Sequence, residues 1–261
     1  MNNITALIMA AGTDDKMKSK KSKLAQTIYG KEVIKRVVNS VKKAGIEEVG
    51  VIVGENKEEI ESILKDEVKY IYQEQCLGTG HAIMQAIPYL EEKSGRVLIL
   101  NGNIPLITEQ TIQKIVDKSI KEDEVATILT GIISEPKGYG RVIRKENKIY
   151  EVIEETDLEE VQKGILEVNA GVYCFKINEL LEILGKLQNM GYGGVWKRVF
   201  RLHGKIWFWP SERITISLHR IKGACTHHKG TCPLQPSTPC PGQDTAHIRR
   251  NTRMRGGAQL T

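Results

Sequence analysis

Residues 4–23, ITALIMAAGTDDKMKSKKSK, decide the fold. Ile4–Met9 is a continuous apolar run, as expected of a strand that is buried on both faces. It ends in Ala10-Ala11-Gly12, whose small residues let the backbone approach a bound group closely, as phosphate-binding turns require. Five lysines follow within eight positions and suit a polyphosphate, whereas Asp14 and Asp15 would repel one. The stretch therefore predicts an anion-binding turn with an altered centre.

Apolar, strand-like runs alternate with amphipathic helical patterns after this stretch. Gly45 is a stop signal for the first helix, and Asn56 with Glu59 three residues later is typical of a helix cap. The predicted strands are 4–9, 49–53, 68–72, 97–100, 125–133, 141–144, 148–153 and 172–175. The predicted helices are 32–44, one that begins at Asn56, 80–90, one capped by Thr108 that runs to 120, and 179–187. This order predicts an α/β fold with a parallel, doubly wound sheet.

The chain changes character at residue 188. The whole chain carries a net charge of +6, but residues 188–261 hold 12 Lys and Arg residues and two acids. From Gly223 onward Gly, Pro, Thr, Cys and Arg dominate without periodicity, which favours disorder. We therefore predict a folded domain at 1–187 and an irregular basic tail at 188–261. As a hypothesis, the tail is an unrelated or frame-shifted extension that replaces the end of the domain.

Several classes of protein are excluded by composition. No run of about 18 apolar residues occurs, so no membrane span is expected. The N-terminus lacks the basic region, apolar core and cleavage site of a secretory signal, so a cytoplasmic protein with reduced thiols is predicted. The cysteines and histidines of the tail fit no common zinc-binding spacing.

Three loops should converge on one edge of the sheet, because ligands gather beyond the carboxyl ends of parallel strands. They are 10–23, which includes Lys16 and Lys23, then 73–80 and 101–106. In the second, Gln73 offers a donor and an acceptor to the edge of a base, and its glycines let a planar ligand approach. In the third, an acid could hold Mg²⁺, but Asn103 is present. Taken singly, each loop is also compatible with an ordinary turn.

A fourth signature lies further along the chain. Gly138-Tyr139-Gly140-Arg141 precedes Glu154 and Asn169, and together these residues could surround a sugar with hydrogen-bonding groups. Gly-Tyr-Gly by itself is also a common hairpin turn.

In this order the four signatures resemble the sugar-1-phosphate nucleotidyltransferases. The resemblance is closest to the N-terminal uridylyltransferase domain of the bacterial bifunctional N-acetylglucosamine-1-phosphate uridylyltransferase / glucosamine-1-phosphate acetyltransferases. It covers about residues 4–187 and depends on the segments QEQCLGTGHAIMQA, GNIPLIT, GYGRVIR and EVNAGVYCF.

The resemblance implies a Rossmann-like, mixed and mainly parallel sheet with flanking helices. It implies that UTP and N-acetylglucosamine 1-phosphate give UDP-N-acetylglucosamine and pyrophosphate, with Mg²⁺ as the metal. By the resemblance, the backbone of Ala10 and Gly12 would contact the nucleotide, and Gln73, Gly78 and Thr79 would recognise uracil. Lys16 and Lys23 would contact the phosphates, and Asn103 would stand at the metal position. The amino sugar would be bound by Gly140, Glu154 and Asn169.

Departures from the family pattern fall in the same loops. Asp14, Asp15 and Lys16 replace a glycine, a threonine and the catalytic arginine, and Ser22 replaces a proline. Lysine lacks the bidentate fork of arginine, which in phosphoryl transfer is worth about 10³–10⁵-fold in rate. Asn103 replaces the aspartate that ligates Mg²⁺, and a neutral amide is the poorer ligand. These departures predict impaired catalysis.

Two other functions stay open at this point. A remnant that binds nucleotide or sugar without turnover fits the same substitutions. The basic tail could bind nucleic acid, although no recognisable reading module accompanies it. No hexapeptide repeat of the family's trimer-forming acetyltransferase half occurs in the sequence, so the oligomeric state is not predicted.

Overall fold

The computed structural model describes residues 3–12, 22–145 and 148–187. The tail at 188–261, with the domain boundary drawn there, and the turn residues Asp14, Asp15 and Lys16 lie outside this range. In chain order the elements are β1 (Ile4–Met9), β2 (Thr27–Ile28), β3 (Lys31–Glu32), α1 (Val33–Lys43), β4 (Glu48–Val53), α2 (Lys57–Leu64), β5 (Lys69–Tyr72), α3 (Thr79–Gln85), α4 (Ile87–Glu91), β6 (Arg96–Asn101), α5 (Glu109–Lys121), β7 (Ala126–Ile132), β8 (Arg141–Lys145), β9 (Lys148–Ile153), α6 (Glu160–Lys163), β10 (Glu167–Lys176) and α7 (Ile177–Leu187).

One sheet organises the domain, with the strand order β5-β4-β1-β6-β10-β8-β9 and with β7 also paired to β10. The pairs among β5, β4, β1 and β6 are parallel, and the four pairs on the other side are antiparallel. Because β7 and β8 are each antiparallel to β10, six of the eight strands of this sheet run the same way. The mixed, mainly parallel sheet implied by the resemblance is therefore confirmed.

Helices cover both faces of this sheet. Successive residues of β6 point to opposite sides, so Val97 and Ile99 join one apolar cluster and Leu98 and Leu100 join the other. Helices α3, α4 and α7 cover the first face, and α1, α2 and α5 cover the second. All four of these β6 side chains are fully buried, as a continuous apolar run predicts.

Several predicted helix ends are confirmed. The Thr108 side chain accepts a hydrogen bond from the Thr111 amide at 3.2 Å and so caps α5. Gly45, at φ +86°, follows the end of α1. No helix in the part of the chain that the structure describes is long and apolar enough to cross a membrane.

Other predictions were wrong in detail. The helix expected over 80–90 is two helices, because Pro88 fits the first turn of α4 but not the interior of a longer helix. The strand β10 begins at Glu167 rather than at 172, since a bulge between Asn169 and Tyr173 lets pairing to β7 continue past Gly171. The short β2–β3 hairpin was not predicted.

Asn56 is the N-cap residue of α2, but its side chain does not cap the helix. Its Oδ1 atom accepts a hydrogen bond from the Gly54 amide at 3.2 Å, and its Nδ2 atom donates to the Ala10 carbonyl at 2.9 Å. The predicted position of the helix cap is therefore confirmed, but the expected capping hydrogen bond of the side chain was wrong, because this side chain joins the end of β4 to the end of β1.

Candidate functional site

A cavity of about 460 Å³ lies at the carboxyl ends of β1 and β6, beside the start of α3. Its position agrees with the convergence predicted for the loops that follow these strands. The cavity is lined by Met9, Ala10, Ala11, Gly12, Lys23, Leu24, Gln73, Cys76, Gly78, Thr79, Ala82, Asn101 and Asn103.

The turn after β1 is held from several sides. The Ala10 amide donates to the Ile52 carbonyl at 2.8 Å, and the Ala10 carbonyl accepts the hydrogen bond from Asn56. A Cβ atom at Gly54 would lie 2.8 Å from the Ala11 carbonyl oxygen, so a larger residue there would displace the turn. The turn therefore keeps a fixed backbone, with the exposed Gly12 at the cavity.

Lys23 reaches the cavity from a short 3₁₀ helix, Lys23–Ala25. The preceding Ser22 donates its amide hydrogen to Glu59 Oε2 at 3.0 Å, and Ser22 Oγ accepts from the Leu24 amide at 3.1 Å. Because Leu24 and Ala25 are buried, the lysine is carried on an anchored segment.

Gln73 occupies the end of the cavity near α3. Its backbone amide donates to the Val53 carbonyl at 2.8 Å, and only 3% of the residue is exposed. The Gln73 Nε2 atom lies 2.9 Å from His81 Nδ1 and 3.5 Å from the Gly78 carbonyl. Gly78 has φ +101°, which favours glycine, and Thr79 then begins α3 at the cavity. A buried amide therefore stands where the resemblance implies uracil recognition.

Asn101 and Asn103 form the wall at the end of β6. The intervening Gly102 donates its amide hydrogen to the Met9 carbonyl at 2.9 Å, which joins this loop to β1. The described lining contains these two amides and no carboxylate, and the described residues contain no cluster of three or more His, Cys, Asp or Glu side chains. Mg²⁺ prefers carboxylate and phosphate oxygens, so the described residues do not form a resident site for it.

Gly140, Glu154 and Asn169 come together in a second group. The Asn169 amide donates to the Gly140 carbonyl at 3.0 Å, and a Cβ at Gly140 would lie 3.5 Å from Glu154 Oε2. The Asn169 side chain donates to the Tyr173 hydroxyl at 2.6 Å and accepts from the Gly171 amide at 2.9 Å. The Asn169 side chain is thus fixed by two hydrogen bonds within β10, one to Tyr173 and one from Gly171 in the bulge.

Glu154 differs from an ordinary surface acid. Although the residue as a whole is exposed, burial of its carboxyl group raises its pKa, and the negative charge of Asp157 adds to the effect. Burial likewise raises the pKa of the Tyr173 hydroxyl, with the hydrogen bond from Asn169 opposing the shift. The group therefore combines an acid that protonates readily with a fixed amide.

The predicted site residues thus fall into two neighbouring groups. Seven of them line the cavity: Ala10, Gly12, Lys23, Gln73, Gly78, Thr79 and Asn103. Gly140, Glu154 and Asn169 form the second group, which adjoins the cavity because Gly171 packs directly against Asn101. Lys16, the remaining catalytic candidate, lies outside the described residues.

Four further residues were missed as parts of the site. Asn56 holds the turn, Asn101 lines the cavity, and His81 contacts Gln73. Cys76 also lines the cavity, where its thiol donates to the Ala11 carbonyl at 3.0 Å. A usable signal existed for Asn101, since it is a polar residue at the carboxyl end of a buried strand.

Curated relatives are similar in sequence to most of the chain. Over 190 residues the chain is 42% identical to the bifunctional protein GlmU of Acetivibrio thermocellus, covering 72% of this chain and 41% of the relative. It is 40% identical over 231 residues to that of Thermoanaerobacter pseudethanolicus, covering 85% of this chain and 50% of the relative. The chain thus spans from two fifths to half of the length of these relatives.

A solved structure shares the fold. A crystal structure of a Bacillus anthracis protein assigned as a glucose-1-phosphate thymidylyltransferase, in complex with a sucrose, matches with a TM-score of 0.63 at 15% identity. The match covers 78% of this chain and 84% of that one. The family model described as nucleotidyl transferase matches residues 5–193, which is most of the chain. The chain therefore belongs to the nucleotidyl transferase family.

Proposed function

We propose that the protein transfers a uridylyl group from UTP to N-acetylglucosamine 1-phosphate and releases pyrophosphate. The observation that carries this proposal is the cavity, which gathers a small-residue turn, a lysine and a buried glutamine at the carboxyl ends of parallel strands. Family membership supports nucleotidyl transfer, and the choice of nucleotide and sugar rests on the resemblance of the loop motifs to the uridylyltransferase domain.

In this proposal the nucleotide lies along the cavity from Gln73 to Lys23. Gln73 and Thr79 contact the uracil, the backbone at Ala10 and Gly12 contacts the nucleotide, and Lys23 neutralises phosphate charge. An ammonium group that donates to a phosphate contributes about 1.5–3 kcal/mol.

The sugar phosphate would bind on the side of Gly140, Glu154 and Asn169. One of its phosphate oxygens attacks the α-phosphorus of UTP in line, a new P–O bond forms, and the bond to the departing pyrophosphate breaks. The chain itself contributes positioning and positive charge, which supply most of the catalysis in such transfers. Residues 1–187 are the proposed catalytic unit.

A second candidate is a protein that binds nucleotide or sugar without turnover. The observation that favours it is the lining with Asn101 and Asn103 and without any carboxylate in its described part. Mg²⁺ would enter with the UTP phosphates and would be held more weakly by an amide than by an aspartate.

Pyrophosphate release from UTP and N-acetylglucosamine 1-phosphate in the presence of Mg²⁺ separates the two candidates. If the full chain turns over, Lys23→Ala should reduce the rate about 10- to 100-fold, because a charged phosphate contact is lost. The exposed Lys69, on the edge strand β5 and away from the cavity, provides the matched control Lys69→Ala.

Asn103→Asp tests the metal position. We expect this change to raise the Mg²⁺-dependent rate by about 10- to 100-fold, in line with the effect of residues that support a metal site. UTP binding without pyrophosphate release in both the native chain and Asn103→Asp would favour the non-catalytic candidate. Absence of UTP binding in both would refute the proposed function.

A further inference from the structure

His81 lies between two glutamine side chains. Its Nδ1 atom is 2.9 Å from Gln73 Nε2, and its Nε2 atom is 3.1 Å from Gln85 Nε2. A neutral imidazole carries one N–H donor and one acceptor nitrogen, so one of the two amides must present a nitrogen and the other an oxygen. Because a half-turn of a terminal amide exchanges its oxygen and nitrogen, two arrangements satisfy His81 taken alone.

Gly78 distinguishes these arrangements. The same Gln73 Nε2 position is 3.5 Å from the Gly78 carbonyl, which only accepts hydrogen bonds. If the amide turned over, two carbonyl oxygens would face each other with no hydrogen between them. Gln73 therefore donates to His81 Nδ1, which leaves the proton of His81 on Nε2. The Gln85 amide must then be turned by half a turn, so that its oxygen takes the place of the Nε2 atom 3.1 Å away and accepts this hydrogen bond.

This arrangement leaves the Gln73 oxygen as the atom available to a ligand. Gln73 is 3% exposed and lines the cavity, and its Oε1 atom has no hydrogen-bond partner among the described residues. An acceptor that lies at the cavity and that no described residue uses is available to a ligand that donates a hydrogen bond.

We propose that His81 is a positioning residue that fixes the Gln73 amide and so determines which base the cavity accepts. The inference rests on the proposed function, since it assumes that Gln73 faces the base of a nucleotide. Uracil has an N–H at ring position 3 that donates to the fixed oxygen. Cytosine has an unprotonated nitrogen at that position, which would need the amide to turn over and lose its contact with His81.

Two substitutions of His81 divide its contacts. His81→Asn places an amide oxygen near the position of Nδ1 and keeps an acceptor for Gln73. His81→Gln reaches toward the position of Nε2 and keeps the contact to Gln85, but it leaves Gln73 free to turn. Glutamine is the better helix former of the two, so lower helix propensity in α3 would not explain a defect of His81→Gln.

The experiment titrates UTP and CTP into the full chain and both variants. We expect the native chain to prefer UTP by about 10- to 100-fold, the range set by one well-placed pair of base contacts. His81→Asn should keep this preference within about threefold, and His81→Gln should reduce it to about threefold or less. If His81→Gln discriminates like the native chain, or if both variants lose the preference equally, the inference is wrong while the proposed function stands. A native chain without any preference for UTP would refute both.

A second measurement needs no nucleotide. Nitrogen-15 correlation spectra of the imidazole of His81 should show the proton on Nε2, with His81→Asn used to assign the signal. A proton on Nδ1 would overturn the inference, because the Gln73 oxygen would then face His81 instead of the cavity.

Discussion

Replacement of Gly171 by alanine should destabilise the protein strongly. Gly171 lies in the bulge of β10 at φ +71°, and an added Cβ would overlap the Asn101 amide nitrogen and lie 3.2 Å from Asn101 Cγ. The left-handed backbone costs alanine about 1–2 kcal/mol. Packing a methyl group against Asn101 costs about 1–3 kcal/mol. We expect a total loss of about 2–5 kcal/mol in the free energy of unfolding.

Two further variants separate these contributions. Gly131→Ala, on the neighbouring β7, is the matched control because its Cβ would meet nothing within 4 Å, and it should be neutral or stabilising by up to about 1 kcal/mol. In the double variant Asn101→Ala/Gly171→Ala the added methyl group no longer overlaps residue 101. Its free energy of unfolding should therefore be lower than that of Asn101→Ala alone only by the cost of the left-handed backbone, about 1–2 kcal/mol.

Urea unfolding followed by far-ultraviolet circular dichroism measures all of these free energies. The comparison is valid if the dependence on urea concentration is the same in every variant, since a change in that slope signals a different denatured state. If Gly171→Ala unfolds at the same midpoint as Gly131→Ala, the reasoning from the bulge is refuted.

Three further predictions concern other contacts. Asn56→Ala should cost about 1–3 kcal/mol, because two hydrogen bonds are lost, one to the Ala10 carbonyl in the turn after β1 and one from the Gly54 amide after β4. It should also weaken UTP binding, and unchanged affinity in a titration would contradict the role of Asn56. Arg144 and Glu167 form a two-pronged, half-buried ion pair at 2.6 and 2.7 Å, so a double-mutant cycle with Arg144→Met and Glu167→Gln should give a coupling of about 1 kcal/mol, and a value near zero would count against it. The ammonium group of Lys176 lies 2.9 Å from the carboxylate of Asp123 and lowers the pKa of that carboxyl group. The native chain should therefore have a higher Tm than Asp123→Asn above about pH 5, and this difference should disappear as the pH falls through the lowered pKa. A difference in Tm that stays constant down to low pH would contradict the prediction.

The parallel half of the sheet and the edge at which the cavity lies could be predicted from local sequence, whereas the antiparallel pairs of β10, β8 and β9 could not. A strand buried on both faces needs a continuous apolar run, which Ile4–Met9 and the interior of β6 supply. Once those strands are parallel, the loops that follow them must meet at one edge, so Gln73, Lys23 and Asn103 could be grouped without coordinates.

The missed features depend on partners that are distant in sequence. Asn56 has the sequence context of a helix cap, but the carbonyl of Ala10 and the amide of Gly54 compete for its side chain. The local sequence pattern likewise predicts that β10 begins after Gly171, whereas pairing with β7 extends the start of the strand back to Glu167. The contacts of His81 could not be predicted either, because the fold brings Gln73 and Gln85 to its two ring nitrogens.

The central place of β10 has a consequence for the order in which the chain is made. Residue 96 of β6 pairs with residue 176, and in the described part β7 pairs only with β10. During synthesis, β6 therefore emerges long before its second neighbour exists, and one edge of a strand with an apolar centre at residues 97–100 stays open. Such an edge is a template for pairing with other chains. A chain on a ribosome that stalls between β7 and β10 would thus expose the open edge of β6 and be prone to aggregate. A chaperone that covers this edge would have its largest effect in the same interval.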